Sequence, residues 1–241
     1  MRHNTRLKTL FASALAISLA ACALPPAPPP AAATATMNTP ASSETRNAAL
    51  IDAAGKGDLT EVKRLLAQGA SVKAADGAGR TALIAAAYGN HVDVAKALID
   101  AGADVNVKDN TQQSAYLIPT ADGGLEMLQL TLANGGDVHS LDSYNGTGLI
   151  RAADRGHVDI IRELLKTDIK IDHINRLGWT ALLEAIILGD GGARHTEVVR
   201  LLVDAGTDVN LADSAGVTPL AHARQRGFDA IIKLLEGAGA T

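Results

Sequence analysis

The chain has 241 residues, of which 47% are apolar but only 2% aromatic, and 22 basic residues face 26 acidic ones for a formal net charge of −4. Four of the basic residues and one of the acidic ones lie before residue 47, so the remainder sets 18 basic against 25 acidic residues. An acidic body with few aromatic rings neither neutralises phosphates nor stacks bases, which excludes nucleic acid as a partner. The only cysteine, Cys22, excludes an internal disulfide and a cysteine-based metal cluster.

Residues 1–21 have the layout of an export signal. Arg2, Arg6 and Lys8 precede an apolar or small-residue run from Leu10 to Ala21. The run is short of the about 20 apolar residues that span a membrane. It ends Leu19-Ala20-Ala21-Cys22, which resembles the bacterial lipoprotein signal, in which the cysteine becomes the first mature residue and is acylated. An ordinary cleaved leader is the alternative. On the lipoprotein reading Cys22 is the lipidation residue, and palmitate-type chains attach the protein to a membrane without spanning it. Ala23, where an aspartate would favour inner-membrane retention in Gram-negative lipoproteins, leans by that resemblance towards the outer membrane. Residues 22–45, with Pro25-Pro26 and Pro28-Pro29-Pro30, read as an extended tether. A proline-rich docking motif is the rival reading.

From residue 46 the chain repeats itself. Thr81, Ser114, Thr147 and Thr180 are each 33 residues apart, and Thr218 follows 38 residues later. Copy one, 46–75, lacks the opening turn and has a charged outside, as a terminal cap must. Copy two, 76–108, sets the pattern. Asp76-Gly77-Ala78-Gly79 is a turn, and a short apolar helix runs from Thr81 through Ala87. Asn90 breaks it, as the non-glycine residue best suited to a left-handed conformation. A second helix places Val92, Val94, Ala95, Leu98 and Ile99 at helical spacing and closes at Gly102. Copy three, 109–141, departs most: Gln112 replaces the turn glycine, and Pro119 falls inside the first helix, which it should shorten or kink. Copy four, 142–174, returns to form. Copy five, 175–212, carries an insertion, Leu188 to Arg194, expected to stand out as a flexible loop. That loop matches neither a phosphate-binding nor a calcium-binding pattern. Copy six, 213–241, ends early and reads as the second cap.

A 33-residue period with a turn and two helices resembles the ankyrin-repeat family. Thr218-Pro219-Leu220 matches its helix start, and Gly102-Ala103-Asp104-Val105-Asn106 and its variant at 206–210 match its second-helix exit. The resemblance implies an all-α solenoid of about six helix-turn-helix repeats joined by β-hairpin-like turns, over 46–241. It implies a structural role for His91, His157 and His195, each bonding to loop backbone, rather than an acid–base role with Asp93, Asp159 or Glu197. Without a nucleophile motif such as G-x-S-x-G, no enzyme and no cofactor are expected.

The same resemblance places a binding face on the turn tips and the exposed end of each first helix. The tips are Ala78, Arg80, Thr111, Gln113, Tyr144, Leu177, Trp179, Ala215 and Val217. The helix positions are Tyr88, Asp122, Asp154, Arg155, Leu188, Gln225 and Arg226. Trp179, the only tryptophan, either projects from its turn or lies against the neighbouring copy. The expected function is non-catalytic binding of another protein by an exported, lipid-anchored, periplasm-facing monomer. A small-ligand or regulatory site at 188–195, and a purely structural envelope spacer, are the alternatives.

Overall fold

The computed structural model describes residues 42–241. The leader, Cys22 and nearly all of the tether lie outside the described residues. Among the described residues twelve α-helices follow in pairs: α1 (Ser43–Gly55) with α2 (Leu59–Ala67), α3 (Ala82–Tyr88) with α4 (Val92–Asp100), and α5 (Leu117–Asp122) with α6 (Leu125–Ala133). Then come α7 (Gly148–Arg155) with α8 (Val158–Leu164), α9 (Ala181–Ile187) with α10 (Ala193–Asp204), and α11 (Pro219–Arg226) with α12 (Asp229–Gly237). First helices pack on first helices of adjacent pairs, and second helices on second helices. α1 starts inside the stretch assigned to the tether, because Ser42 caps it by accepting from the Thr45 N–H.

The periodic hydroxyls are what start the first helices. Thr81, Ser114, Thr147, Thr180 and Thr218 each accept a hydrogen bond from the backbone N–H three residues on, satisfying a donor the helix leaves open. Between pairs the chain makes tight turns, and residues 75 and 81 form an isolated antiparallel bridge. Turns also bond to their neighbours: Asn110 donates to the Ala78 carbonyl, and Arg176 to that of Tyr144. Gln112 (φ 64°) adopts the left-handed turn conformation of its glycine counterpart Gly79 (φ 76°), and Asn90 (φ 51°) does so between α3 and α4.

Copy three is distorted as Pro119 requires. α5 has six residues and begins at Leu117, three positions after Ser114, whereas α3 begins one position after the corresponding Thr81. Residues 115–118, which lead into and open α5, divide the core. Ala115 and Ile118 join Leu50, Leu83, Leu98 and Met127 in one buried cluster. Tyr116 and Leu117 join Leu149, Ile161, Leu182, Val199 and Leu235 in another. Tyr116 is fully buried where other copies have leucine, and Gly148 makes room for it. A Cβ on Gly148 would lie 2.8 Å from the Tyr116 hydroxyl, whereas the corresponding residues are Ala82 and Ala181.

The insertion in copy five does not stand away from the body. Only residues 188–192 are loop, and Ala193 and Arg194 open α10, which is lengthened to 12 residues. Backbone carbonyls in a long connection need donors, and copy six supplies them. Arg226 donates to the carbonyls of Ile187 and Gly189 while its guanidinium stacks over Phe228. Gly191 lies so close to the Phe228 ring that a Cβ there would be 2.3 Å from it.

Candidate partner-binding face

Each turn is built on one carboxylate or amide. Asp76, Asp109, Asp142, Asn175 and Asp213 each use Oδ1 to accept the N–H groups two and four residues on. This local bonding is why Asx residues nucleate turns. The second polar atom of each side chain is left to meet another group. Arg80 Nε donates to Asp76, the Tyr88 hydroxyl to Asp109 and Arg151 Nη1 to Asp142. His222 Nε2 lies 2.8 Å from Asp213 Oδ2. Asp76 and Asp213 are held in their charged form. Asp76 is lowered by the Arg80 N–H and then its side chain, and Asp213 by the Val217 N–H and then His222.

In copy five the polarity is reversed. Asn175 Nδ2 donates to Glu184 Oε1 at 2.6 Å. Glu184 is only 5% exposed, on the otherwise apolar helix α9. Burial pushes its carboxyl up to about 7; the Asn175 hydrogen bond opposes this, and the charges of Asp154 and Asp142 reinforce it. An aspartate at 175 would set a second carboxylate against it.

Glu184 lines a groove of about 340 Å³ between copies four and five. Tyr144, Leu177 and Leu188 form its apolar rim, at 62%, 46% and 50% exposure. Asp142, Arg151 and Asp154 line the other side. Thus Tyr144, Asp154, Leu177 and Leu188, from the expected binding residues, meet at one place. A second groove of about 410 Å³, between copies one and two, contains Arg80, but its acids and bases pair with one another: Asp52 with Lys56, and Asp76 with Arg80.

The remaining expected positions are spread along the turns and helices. Ala78 is exposed, and Arg80 is clamped to Asp76. Tyr88 is half-exposed and bonded to Asp109, as is the Thr111 hydroxyl, while Gln113 is half-buried. Arg155 is exposed and bonds to Asp154. Trp179 is half-buried and does not line the groove. Gln225 and Arg226 are exposed on α11, and Arg226 is engaged with the copy-five loop. Glu184 and Asn175 are the residues that sequence reasoning missed.

The histidines have the structural role the resemblance implied. His91 Nε2 meets the Gly55 carbonyl at 3.2 Å, His157 that of Ala121 at 2.9 Å, and His195 that of Asp154 at 3.0 Å. Each joins one copy to the one before. His195 sits within the first turn of α10 rather than before it, buried, with Nδ1 on Asp190. Its ring is bonded on both sides and Arg226 grips the loop, so the 188–195 segment is packed against the body. No group of acids and histidines that could hold a metal occurs among the described residues.

The family model for ankyrin repeats matches residues 31–109 and 117–213. The break, 110–116, falls on the turn and helix start of copy three, where Gln112 and Ser114-Ala115-Tyr116 depart from the pattern. An ankyrin repeat domain from Acinetobacter baumannii AYE is 49% identical, with a TM-score of 0.77 over 80% of this chain and 98% of its own. The ankyrin repeat protein YahD of Escherichia coli (strain K12) is 47% identical over 98 residues, 40% of this chain and 49% of its own length. Human cyclin-dependent kinase 4 inhibitor B is 36% identical over 39% of this chain and 64% of its own. The matched region thus spans about half to two thirds of these curated relatives. Stacked helix pairs, hydroxyl-capped first helices and histidine ties between copies agree with the match, and the chain belongs to the ankyrin-repeat family.

Proposed function

We propose that this chain is a non-catalytic docking module that binds a partner protein through the face centred on the groove between copies four and five. The observation that carries this reading is the exposure of Tyr144, Leu177 and Leu188 around one depression, backed by rigid turns. Exposed apolar and aromatic side chains around a recess are the usual anchors of an interface. Turns already bonded internally lose little freedom on binding, which favours affinity. A relative named as an inhibitor of cyclin-dependent kinase 4 has a protein as its target, and we carry over only that class of target. The sequence Leu19-Ala20-Ala21-Cys22 supports placing the module at a bacterial envelope membrane through an acylated Cys22.

A photocrosslinker at Leu177, compared with one at Lys166 on α8's exit, tests the docking face in intact cells. A discrete protein adduct at 177, absent at 166 and lost when Tyr144 is also changed to Asp, is the expected result. Equal trapping at both positions, or none at 177 in folded protein, would overturn it.

A further inference from the structure

The copy-four side of the groove contains acids already provided with cations. Arg151 Nη1 holds Asp142 at 3.0 Å, and Arg155 Nε holds Asp154 at 3.1 Å. Glu184, on the copy-five side, has none. Its only hydrogen bond among the described residues is the one Asn175 donates to Oε1, so its second carboxylate oxygen is unpartnered. The side chain is nine-tenths buried, yet it lines the groove beneath Leu177 and Leu188. A carboxylate removed from water and left without a cation is costly unless it is protonated or a counter-charge arrives. The groove is too small for a folded domain. It is open between two turns, which suits a side chain delivered by a crossing polypeptide.

We propose that this groove is a subsite for a lysine or arginine side chain of the partner polypeptide, whose neighbouring apolar side chain rests on Tyr144, Leu177 and Leu188. The inference rests on the docking-face reading and adds the chemistry of what docks. The incoming ammonium or guanidinium pairs with Glu184 while Asn175 keeps its existing bond. Arg151, on the other side of the groove, makes its one side-chain bond among the described residues through Nη1 to Asp142 and none to Glu184. The acidic body of the chain adds a general attraction for such a segment.

The test uses the purified full chain as bait for a phage-displayed library of random heptapeptides, followed by fluorescence polarisation with the enriched peptides. Enrichment of a basic residue next to an apolar one is expected. Affinity should fall about tenfold or more when the basic residue is replaced by citrulline or norleucine, or when the chain carries Glu184→Gln, as for loss of a charge-assisted hydrogen bond. Glutamine preserves the acceptor for Asn175, and thermal melting checks that the variant is folded. Peptides whose binding is lost in Leu177→Asp but is indifferent to citrulline and to Glu184→Gln would overturn this inference and leave the docking face standing. Failure to recover any peptide sensitive to Leu177→Asp would overturn both.

Discussion

Asn175 and Glu184 are a matched exchange within a repeating arrangement. Where the turn acid is aspartate, its outward oxygen faces a donor on Arg151 or His222; where the helix supplies a carboxylate, the turn supplies an amide. Asn175→Asp therefore sets two carboxylates face to face and should destabilise the chain by about 1–3 kcal/mol at pH 8. Urea melts would measure this, and adding Glu184→Gln should recover most of it. Glu184 also gives a pH signature. Its folded pKa, about 7, lies above the ordinary 4.5, so the folded chain holds a proton that the unfolded chain has released. The associated stability is complete below pH 4.5 and is lost as pH rises through 7, amounting to roughly 3 kcal/mol. The wild-type urea midpoint should drop over that window relative to Glu184→Gln. A second matched pair is Tyr116 and Gly148. Gly148→Ala should cost about 1–3 kcal/mol by overpacking, and much less in a Tyr116→Leu background. Of the turn residues, Asp76 was legible in the sequence, as the opening of Asp76-Gly77-Ala78-Gly79. Glu184 was not, because in Ala181-Leu182-Leu183-Glu184-Ala185-Ile186-Ile187 it reads as the solvent side of an apolar helix. Only folding brings it beside a residue nine positions earlier.

Among elements, α5 is the weak one. Near the start of the second helix every other junction has a side chain bonded to a carbonyl of the copy before: His91, His157 and His195, then Arg226 at the last; copies two and three are tied at their turns instead, where Asn110 Nδ2 donates to the Gly77 carbonyl and Asn106 Nδ2 to that of Gly135. The junction of copies two and three has Gly124 at the histidine's position. The Asn90 side chain occupies the space, its Oδ1 only 2.8 Å from where a Cβ would be. The first helix there is also the shortest, and the buried clusters divide across it. Weakly coupled repeats open at their poorest interface. Hydrogen exchange should show α5 amides exchanging faster than those of α9, with α1–α4 forming a protection class of their own; equal protection of α5 and α9 would contradict this. Pro119 announced the distortion because proline's missing N–H acts locally. The packed state of the 188–192 loop was not legible. Its donors come from Arg226, 37 and 39 residues away from the carbonyls it binds.

At the scale of the whole molecule, the repeat period alone was sufficient to read the architecture, since one helix pair cannot bury its apolar face unaided and stacking is the remaining solution. The membrane attachment proposed above rests on the leader sequence and has its own test. Cys22→Ser should abolish incorporation of labelled palmitate and shift the protein from the membrane to the soluble fraction, with its thermal stability unchanged. The division of the core at copy three bears on how the chain is made. Synthesis proceeds from the N-terminus, and the cluster that contains Leu50, Leu83 and Leu98 has all its buried members once Met127 has emerged. The second cluster starts at Tyr116 and waits for Leu235, near the end of the chain. A nascent chain can thus consolidate copies one and two, with the near face of copy three, while more than 100 residues have still to be added. The later copies then fold onto a surface that already exists, as layers are added to a growing crystal.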